Sequence, residues 1–551
     1  MSDPAILLVS AEHAAFLADE FGRYARDYDL RTAGSCAEAL AVTEEIRAAG
    51  GTVALFVADT ELPDAEVLAA FGAWRAVVPT ARRIIAAHYE HFLPRAPSLR
   101  PGMAKGKYDA YLLMPRGVRD EEFHSAVTEL LSDWGSTVAA PEVESVRIIT
   151  PTADPLTLAI RDYADRMGMP TRVYSPDSEV GRAVIEEWGT EPTFPLIAAL
   201  SRPPFVATSV RDLAISMYGM PGDLKVEGVV DLAIVGGGPA GLAAAVYGAS
   251  EGLTTVVIEA EAIGGQAGTS SMIRNYLGFP RGVSGMRLAQ RARNQALRFG
   301  TQFYTGWDVT ALETQPDGTH LLGTGGGDVE ARSVVVATGV AYRKLGIAPI
   351  EDLVGLGVFY GSAMTAAREM EGADVVVVGG GNSAGQAAIH LARFADSVTI
   401  MVRRDSLAAT MSDYLINEID YNPRITVQPC AEIADGGGDG RLEWLDVRDT
   451  TTGAVTRREA RGLFLLLGAE PHCDWLPDSV ARDRRGFVLT GRDVPSAHWD
   501  SGLPPENLAT TLPGVFAVGD IRAGSMKRVA AATGEGSSVV PLVHAYLAPE
   551  G

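Results

Sequence analysis

Two glycine-rich turns with charged side chains downstream are the features of this sequence best suited to chemistry. The first turn, Gly236–Gly241, follows the apolar run VVDLAIV, and Glu259 stands 23 residues after its first glycine. The second turn, Gly379–Ala384, follows ADVVVV, and Arg403 and Arg404 stand 24 and 25 residues after its first glycine. Each turn leads into a helical run and a further apolar stretch, which is typical of a strand–turn–helix–strand unit that binds a dinucleotide.

The charges at the ends of the two units indicate different ligands. Glycines allow a tight turn and close approach of the backbone to a pyrophosphate, which sits at the start of the helix. Glu259 can accept hydrogen bonds from a ribose 2′-hydroxyl, and its charge would repel a 2′-phosphate, so the first unit suits FAD or NAD. Arg403 and Arg404 match the charge and geometry of a phosphate, so the second unit suits NADP.

Composition argues against several kinds of partner. The 551 residues carry 47 Lys and Arg against 69 Asp and Glu, and this net charge of −22 would repel nucleic acid and anionic membranes. No apolar run is long enough to span a membrane, and the start MSDPAILLVSAEH does not have the features of a signal peptide. Cys36, Cys430 and Cys473 are too scattered to suggest disulfides or a metal cluster. We therefore expect a cytoplasmic protein of three or four domains, without a metal site.

The front of the chain predicts two small α/β domains. Residues 1–134 alternate apolar strands (AILLVS, TVALFVAD, RRIIAAH, DAYLLMP) with helices near 12–27 and 119–133, as in a doubly wound parallel sheet. A linker at Gly135–Ser145 leads to a domain at 145–222, with helices near 154–167, 178–188 and 209–217. A joint at Pro221–Gly228 precedes one large unit that holds both turns, and turn residues in it predict hairpins at Asp317-Gly318, Gly325–Asp328 and Gly436–Gly440.

From residue 228 onward the sequence resembles the low-molecular-weight thioredoxin reductases. The resemblance rests on the two turns and on AIGGQ, IRNYLGFP, VVVATG, TLPGVFAVGD and KRVAAATGEG, which occur in the family's order. It implies two dinucleotide-binding domains, with an FAD domain at 228–341 and 473–551 around an NAD(P)H domain at 342–472. It implies these FAD residues: Gly236, Gly238, Pro239, Ala240, Gly241, Glu259, Gly265, Gln266, Asn275, Val309, Thr338, Gly339, Asp520, Arg528 and Val529. It implies these NADPH residues: Gly379, Gly381, Asn382, Ser383, Ala384, Arg403 and Arg404. A homodimer is also implied.

The sequence departs from this family at the redox dithiol. Where the family has Cys-x-x-Cys, this chain has Gly361-Ser362-Ala363-Met364, with Thr365 in place of the acid that follows. A thiolate must attack a substrate disulfide, and neither glycine nor methionine can do so. We expect Cys430, in a strand, and Cys473, beside His472 in a loop, to be incidental thiols. The family's frequent third arginine is Ala408, so NADPH is favoured over NADH by two arginines alone.

The two front domains resemble known folds that have lost their chemistry. Residues 1–134 resemble a response-regulator receiver, of the flavodoxin-like fold, in which Asp59 matches the phospho-acceptor. Ser10-Ala11, Ala86 or Ala87, and Met114 replace the acidic pair, hydroxyl and lysine that phosphoryl transfer needs, so we expect a pseudo-receiver. Residues 145–222 resemble thioredoxin: Thr193-Phe194-Pro195 matches its cis-proline turn, and Thr150–Leu156, at the dithiol position, has no cysteine.

Three functions follow from these features. The favoured one is an FAD-dependent NAD(P)H oxidoreductase without a dithiol, in which hydride passes from NADPH to FAD and then directly to a quinone, redox protein, small molecule or O₂. The second is a non-catalytic FAD/NADPH sensor that acts on a protein partner through the pseudo-receiver. The third is a disulfide reductase that uses Cys473 or a partner's thiols. We expect His390 and His544 to be packing or surface residues, and we assign no general acid or base.

Overall fold

The computed structural model describes residues 3–117, 119–138, 144–152, 154–199, 202–223, 228–270, 272–361 and 364–548. The chain divides into two compact units. The first contains Met1–Glu142, Ala367–Glu432 and Arg448–Ala454. The second contains Val143–Ala366, Ile433–Val447 and Val455–Gly551. The first predicted turn therefore lies in the second unit, and the second predicted turn lies in the first unit.

The N-terminal domain (residues 3–138) is a five-stranded parallel sheet with strand order β2-β1-β3-β4-β5. Its elements are β1 (Ala5–Val9), α1 (Ala14–Phe21), β2 (Asp29–Ala33), α2 (Cys36–Ala48), β3 (Val53–Ala58), α3 (Val67–Val77), β4 (Arg82–Ala87), α4 (Tyr89–Ala104), β5 (Ala110–Leu113) and α5 (Glu121–Thr137). β1, β3 and β4 are buried along their whole length, which explains the continuous apolar sequences of β1 and β3. β4 begins with Arg82 and Arg83, whose guanidinium groups lie 3.9 Å and 3.6 Å from Asp109. The doubly wound prediction is confirmed.

The predicted linker was wrong at its start. Asp120 caps α5 by accepting a hydrogen bond from the Phe123 amide, and the helix continues to Thr137, so Gly135 lies inside it. The large apolar side chains of α5 that pack on the sheet extend to Trp134, which keeps the last turn helical. Residues 139–143 of the predicted linker lie outside the described residues, as do residues 224–227 of the predicted joint.

The small domain (residues 144–223) mixes parallel and antiparallel strands. It contains β6 (Val146–Ile149), α6 (Pro155–Arg166), β7 (Thr171–Tyr174), α7 (Glu179–Trp188), β8 (Leu196–Ala199), β9 (Phe205–Val206) and α8 (Val210–Tyr218). The order is β7-β6-β8-β9; β7 is parallel to β6, and β8 is antiparallel to β6 and β9. The three predicted helices are present, and the Phe194-Pro195 peptide bond is cis, as the sequence predicted.

A seven-stranded sheet carries the first turn. Its segment contains β10 (Val230–Val235), α9 (Pro239–Ser250), β11 (Thr255–Glu259), α10 (Gly265–Gly268), α11 (Gly285–Arg298), β12 (Gln302–Thr305), β13 (Val309–Thr314), β14 (His320–Thr324), β15 (Val329–Val336) and β16 (Val340–Tyr342). The order is β12-β11-β10-β15-β14-β13, and β15 also pairs with a late strand, residues 515–517. β10 thus lies between β11 and β15, so the turn that follows it is at the switch point of the sheet, where nucleotides bind.

The remaining elements include those of the second turn. They are α12 (Ala348–Glu351), β17 (Val358–Tyr360), β18 (Asp374–Val378), α13 (Asn382–Leu391), β19 (Ser397–Met401), α14 (Asp413–Tyr421), β20 (Ile425–Gln428), β21 (Ala431–Gly437), β22 (Trp444–Asp449), β23 (Val455–Glu459), β24 (Gly462–Leu465), β25 (Ala469–Pro471), β26 (Val515–Ala517) and α15 (Val529–Leu547). β18, β19 and β20 are parallel neighbours in the first unit. In the second unit β16 pairs with β25 in antiparallel fashion, at residues where the sequence led us to expect the chain to cross between domains.

Two of the predicted hairpins are present in full. Asp317-Gly318 joins β13 to β14, and Gly325–Asp328 joins β14 to β15. The third, Gly436–Gly440, begins within β21, which ends at Gly437. Among the helices that the structure describes, none has the length and apolar character needed to cross a membrane.

Candidate functional site

The first turn allows only glycine at two positions. Gly236 has φ +109°, and a Cβ there would lie 2.4 Å from the Ala337 carbonyl oxygen. A Cβ on Gly241 would lie 1.9 Å from the Gly236 carbonyl oxygen. Gly238 is the N-cap of α9, and Pro239 is its first residue. The unpaired N–H groups at the start of this 12-residue helix are therefore available to a phosphate.

Glu259 closes the turn from the end of β11. Its Oε2 accepts a hydrogen bond of 2.5 Å from the Gly237 amide, and its Oε1 accepts one of 2.9 Å from the Glu261 amide. Desolvation raises the pKa of Glu259 above its usual range, although these two amide hydrogen bonds oppose the rise. Each carboxylate oxygen has a second lone pair, which ribose hydroxyls can use.

The segment Ala262–Gln266 lies against the glycine turn. The Gly264 amide donates to the Gly237 carbonyl over 2.8 Å. Gly265 has φ +52°, and a Cβ on it would lie 3.2 Å from the Gly238 Cα. The Gln266 side-chain amide donates to the Val340 carbonyl, which ties this segment to β16. Two glycine backbones in such close contact leave room for a ligand that side chains would otherwise fill.

Asp520 belongs to a turn that packs on the start of α9. This 3₁₀ turn spans Gly519–Ile521; Gly519 has φ +75°, and a Cβ on it would lie 2.9 Å from the Ala240 Cβ. Glu535 of α15 holds the turn: its Oε2 accepts 2.6 Å from the Gly519 amide, and its Oε1 accepts 2.6 Å from Arg522. Desolvation raises the pKa of Asp520, and Lys527 opposes the rise.

The other predicted FAD residues have mixed surroundings. The Thr338 hydroxyl donates to the His472 carbonyl over 2.7 Å, so it also ties the segment before β16 to the residue after β25. Gly339 has φ +63°, and Val309 is buried at the start of β13. Arg528 is the N-cap of α15 and Val529 its first residue, so the predicted helix start is present. Asn275 is exposed in the segment before α11.

The second turn, Gly379–Ala384, also has a glycine with positive φ and a glycine N-cap before its helix. Gly379 has φ +147°, Gly381 is the N-cap of α13, and nothing lies within 4 Å of the position a Cβ on Gly381 would take. Ser383 is exposed, and Ala384 is buried and can reach a ligand only through its backbone. Gly379 and Gly381 thus leave an open helix start for a pyrophosphate.

Asn382 has a partner that the sequence did not predict. Its Nδ2 donates to the Ser412 hydroxyl over 2.9 Å, and its Oδ1 accepts 2.7 Å from the Ser412 amide. The Thr410 hydroxyl also donates to the Gly380 carbonyl over 2.7 Å. Residues 410–412 are therefore fastened to the turn by three hydrogen bonds.

Arg403 and Arg404 are exposed and follow β19, from which they are separated by Val402. The Arg404 carbonyl accepts 3.0 Å from the Cys430 amide, which fixes the backbone that carries the guanidinium groups. This arrangement fits a 2′-phosphate, because two solvent-facing guanidinium groups can reach it without first breaking a buried ion pair.

Tyr342 takes up the space beside the first dithiol position. Gly361 is buried, has φ +83°, and a Cβ on it would lie 2.8 Å from the Tyr342 Cε2. Burial raises the pKa of Tyr342, whereas a hydrogen bond to the Thr269 side chain opposes the rise. Ser362 and Ala363 lie outside the described residues. Tyr342 could not be found from the sequence, because α12 and β17 lie between β16 and Gly361 in the chain.

Cys473 occupies an unreactive position, and Cys430 lies in a turn. Cys473 is 3% exposed, its Sγ donates to the Gly486 carbonyl over 3.0 Å, and burial raises its pKa. Cys430 was wrongly predicted to lie in a strand: it falls between β20 and β21 with φ +51°. Its amide and carbonyl bond to Arg404 and Thr450, so it forms a turn that redirects the chain.

The predicted phospho-acceptor Asp59 is enclosed by other polar groups. At the end of β3 it is 4% exposed; Ser10 donates to its Oδ2 over 2.8 Å, and His13 Nδ1 lies 3.0 Å from the same oxygen. The His13 ring stacks on His88 with centroids 4.8 Å apart. His13 was not predicted from the sequence, although it stands in the loop where a receiver has acids.

Of the two histidines expected to have packing or surface roles, one is buried and the other lies at the surface. His390 is buried in α13, with its ring 5.5 Å from that of Phe394. His544 Nε2 lies 3.2 Å from Glu251 at the surface.

Comparison with known proteins identifies the family. Residues 230–536 match the profile of the pyridine nucleotide-disulphide oxidoreductases. The chain belongs to that family. It is 34% identical over 329 residues to the thioredoxin reductase of Peptoclostridium acidaminophilum, with 58% of this chain and 98% of that protein covered. It is 34% identical over 310 residues to the thioredoxin reductase of Mycolicibacterium smegmatis, with 56% of this chain and 93% of that protein covered.

Solved structures agree with this family. The crystal structure of Lactococcus lactis thioredoxin reductase aligns with a TM-score of 0.52 and 28% identity, covering 57% of this chain and 98% of the other. The thioredoxin reductase of T. acidophilum aligns with a TM-score of 0.52 and 28% identity, covering 58% and 99%. The later part of the chain therefore has the thioredoxin reductase architecture of two Rossmann-type domains. The cofactors of this family are FAD and NADPH, and the two turns described above fit them.

Proposed function

We propose that this chain is an FAD-dependent NADPH oxidoreductase whose flavin gives its electrons directly to an external acceptor, without a dithiol of the chain between them. The observation that carries the proposal is the contact between Gly361 and Tyr342. A cysteine at position 361 would need a Cβ 2.8 Å from the Tyr342 ring and a backbone φ of +83°. Both requirements oppose any side chain there, whatever its chemistry.

Neither Cys473 nor Cys36 is a suitable replacement. Disulfide exchange requires an accessible thiolate, and Cys473 is buried with a raised pKa. Cys36 belongs to the N-terminal domain, and burial raises its pKa as well. These features favour direct electron transfer over a relocated redox pair.

The residues of the two turns have distinct tasks in this proposal. When bound, FAD would accept a hydride from NADPH and would supply two electrons to the acceptor, with protons from solvent where the acceptor requires them. Glu259 and the start of α9 hold the FAD adenosine and pyrophosphate, and Arg403 and Arg404 select the 2′-phosphate. Asp520 and the start of α15 orient the flavin end. The acceptor is a quinone, a redox protein, a small oxidised molecule or O₂.

Anaerobic titration with NADPH tests the first half of the reaction. We expect the flavin absorbance to bleach with one equivalent of NADPH. Steady-state NADPH oxidation is then followed with quinones, ferricyanide, O₂, and a disulfide with and without thioredoxin. Turnover with a non-disulfide acceptor that exceeds turnover with disulfides supports the proposal. A protein that holds FAD yet is not bleached by NADPH, or that turns over only disulfides, contradicts it.

A Cys473→Ser variant is expected to keep its NADPH turnover, and loss of disulfide turnover in this variant would favour the disulfide reductase instead.

A second candidate function is a nucleotide-dependent sensor, which would require the N-terminal domain to be receiver-like. Its strand order, 2-1-3-4-5, is the order of flavodoxin-like receivers, and Asp59 stands at the end of its third strand. The order of the small domain, with a βαβ unit followed by an antiparallel pair and a helix, likewise supports a thioredoxin-like assignment. We expect Asp59 not to be phosphorylated, because Ser10 and His13 contact the oxygen that would react. Mass spectrometry after acyl-phosphate treatment tests this: an added phosphoryl group on Asp59 would refute the pseudo-receiver.

A further inference from the structure

An arginine of the small domain reaches the FAD-binding segment of the family domain. Arg166 is the last residue of α6, and its side chain is 11% exposed. Its Nη2 donates to the Ala262 carbonyl over 3.0 Å and to the Gly265 carbonyl over 3.4 Å. Its Nη1 lies 3.4 Å from Glu261 Oε2. One guanidinium group therefore contacts two carbonyls of Ala262–Gln266, the segment that lies against the first glycine turn.

The end of α6 is held firmly in place by its neighbours. A buried hydrogen bond of 2.7 Å joins the Tyr163 and Thr305 hydroxyls, which fixes α6 to the end of β12. The Gln290 side-chain amide lies 3.5 Å from the Asp165 and Arg166 carbonyls, which fixes the helix end to α11. The position of Arg166 is thus set by contacts that do not involve the segment it supports.

The segment Ala262–Gln266 loses much conformational freedom when it is ordered. Gly264 and Gly265 both have positive φ values, +111° and +52°, and glycines lose the most conformational freedom on ordering. The carbonyls of Ala262 and Gly265 accept charge-assisted hydrogen bonds from Arg166, which are stronger than neutral ones. Without the guanidinium these carbonyls would lose their partner in a largely desolvated place.

The charge of Arg166 also suits this position. Glu259 and Glu261 are both near enough to interact electrostatically with the guanidinium, and desolvation, which acts against the charged form, is outweighed by Asp162, Glu261 and Glu259, so the pKa of Arg166 is raised. Glu261 is in turn linked through its amide to the Glu259 carboxylate. Arg166 therefore acts on the segment through hydrogen bonds and on Glu259 and Glu261 through charge.

We infer that Arg166 is a positioning residue for FAD, and that the small domain serves as a structural part of the flavin site. The residue holds Ala262–Gly265 against Gly236–Gly238 before FAD arrives, so that less ordering is required when FAD binds. This inference depends on FAD as the cofactor, and it is independent of which acceptor receives the electrons.

The test measures FAD affinity in full-length protein. Arg166→Ala and Arg166→Lys are compared with Arg172→Ala, a matched control in the same domain whose side chain is 39% exposed and pairs with Glu144. FAD is removed and titrated back while its fluorescence is followed, and the melting temperature of each apoprotein is recorded. We expect Arg166→Ala to weaken FAD binding by about tenfold, the size of a lost charge-assisted hydrogen bond. Arg166→Lys should recover part of the loss, and Arg172→Ala should stay within about twofold of wild type.

Two results would overturn the inference. One is an Arg166→Ala protein with wild-type FAD affinity, even if its apoprotein melts earlier, because this would reveal a purely structural role. The other applies if Arg166→Ala does not fold: Arg166→Lys then decides, and a lysine variant with wild-type FAD affinity refutes the inference. Neither result affects the proposed function, since bleaching by NADPH is measured on wild type.

Discussion

The Lys107 ammonium lies 4.3 Å from the centre of the Tyr421 ring, and this contact joins the N-terminal domain to α14 within the first unit. Gly106 and Gly72 also approach α14, since a Cβ on them would lie 2.5 Å from Glu418 and 3.6 Å from Tyr421, respectively. The N-cap of the same helix is Ser412, which bonds to Asn382 of the second glycine turn. α14 therefore contacts the nucleotide turn at one end and the N-terminal domain at the other.

We predict that Ser412→Ala weakens NADPH binding. The change removes the hydroxyl that accepts from Asn382 and leaves that side chain held by the Ser412 amide alone, which fixes its rotamer over the helix start less firmly. We expect the Kd for NADPH to rise about fivefold, the effect of one neutral hydrogen bond, while FAD affinity is unchanged. Asn417→Ala, on the exposed face of the same helix, is the control. Equal Kd values for both variants would show that the Asn382 contact has no role in binding.

A second prediction concerns the cofactor preference. Replacing Arg403 and Arg404 with alanine removes both candidate partners of the 2′-phosphate. We expect KM for NADPH to rise by about tenfold or more, because charge-assisted hydrogen bonds contribute about 1.5–3 kcal/mol each. KM for NADH should change by less than about twofold, and the penalty for NADPH should shrink at high salt as exposed charges are screened. Parallel losses with both nucleotides would contradict the assignment.

The sequence predicted these arginines because their distance from the glycines follows from the lengths of the helix and the strand that lie between them. It could predict Glu259 for the same reason. It could not predict Arg166, Tyr342 or Ser412, because each contacts residues far along the chain and belongs to no repeating pattern. The doubly wound N-terminal sheet was predictable from its buried apolar strands, but the edge strand β2 was not, since its sequence DLRTA is largely polar and only partly buried.

Asp109 provides a prediction about pH. Desolvation alone would raise its pKa, but the guanidinium groups of Arg83, Arg82 and Arg393 outweigh it and hold the pKa below its usual range. Its carboxylate also accepts 2.8 Å from the Arg83 amide. A carboxyl whose folded pKa is depressed stabilises the protein above its unfolded pKa, about 3.9, and loses this contribution as pH falls through the folded value.

We therefore expect Asp109→Asn to destabilise the protein at pH 7 by about 3 kcal/mol, as when one partner of a buried ion pair is removed. The difference from wild type should shrink below about pH 4, as wild-type Asp109 becomes protonated. Urea unfolding across this pH range measures it, with Asp317→Asn as an exposed control whose partners are only local. A difference that stays constant with pH would exclude the charge as its origin.

The last prediction tests whether Tyr342 excludes a side chain at the dithiol position. Gly361→Ala adds one methyl group, 2.8 Å from the Tyr342 ring and on a backbone with φ +83°, and we expect it to destabilise the protein by about 2 kcal/mol. Tyr342→Ala should relieve the steric part of this penalty but not the backbone part, so the double variant should be more stable than the sum of the single changes predicts. A coupling of about 1 kcal/mol is expected for two residues in direct contact.

Thermal unfolding of wild type, the two single variants and the double variant measures this coupling. Gly372→Ala is the control for the backbone cost alone, since Gly372 has φ +68° and no atom lies within 4 Å of the added carbon. If Gly361→Ala and Gly372→Ala cost the same, and the cycle shows no coupling, Tyr342 does not keep this position closed, and a thiol could be accommodated there.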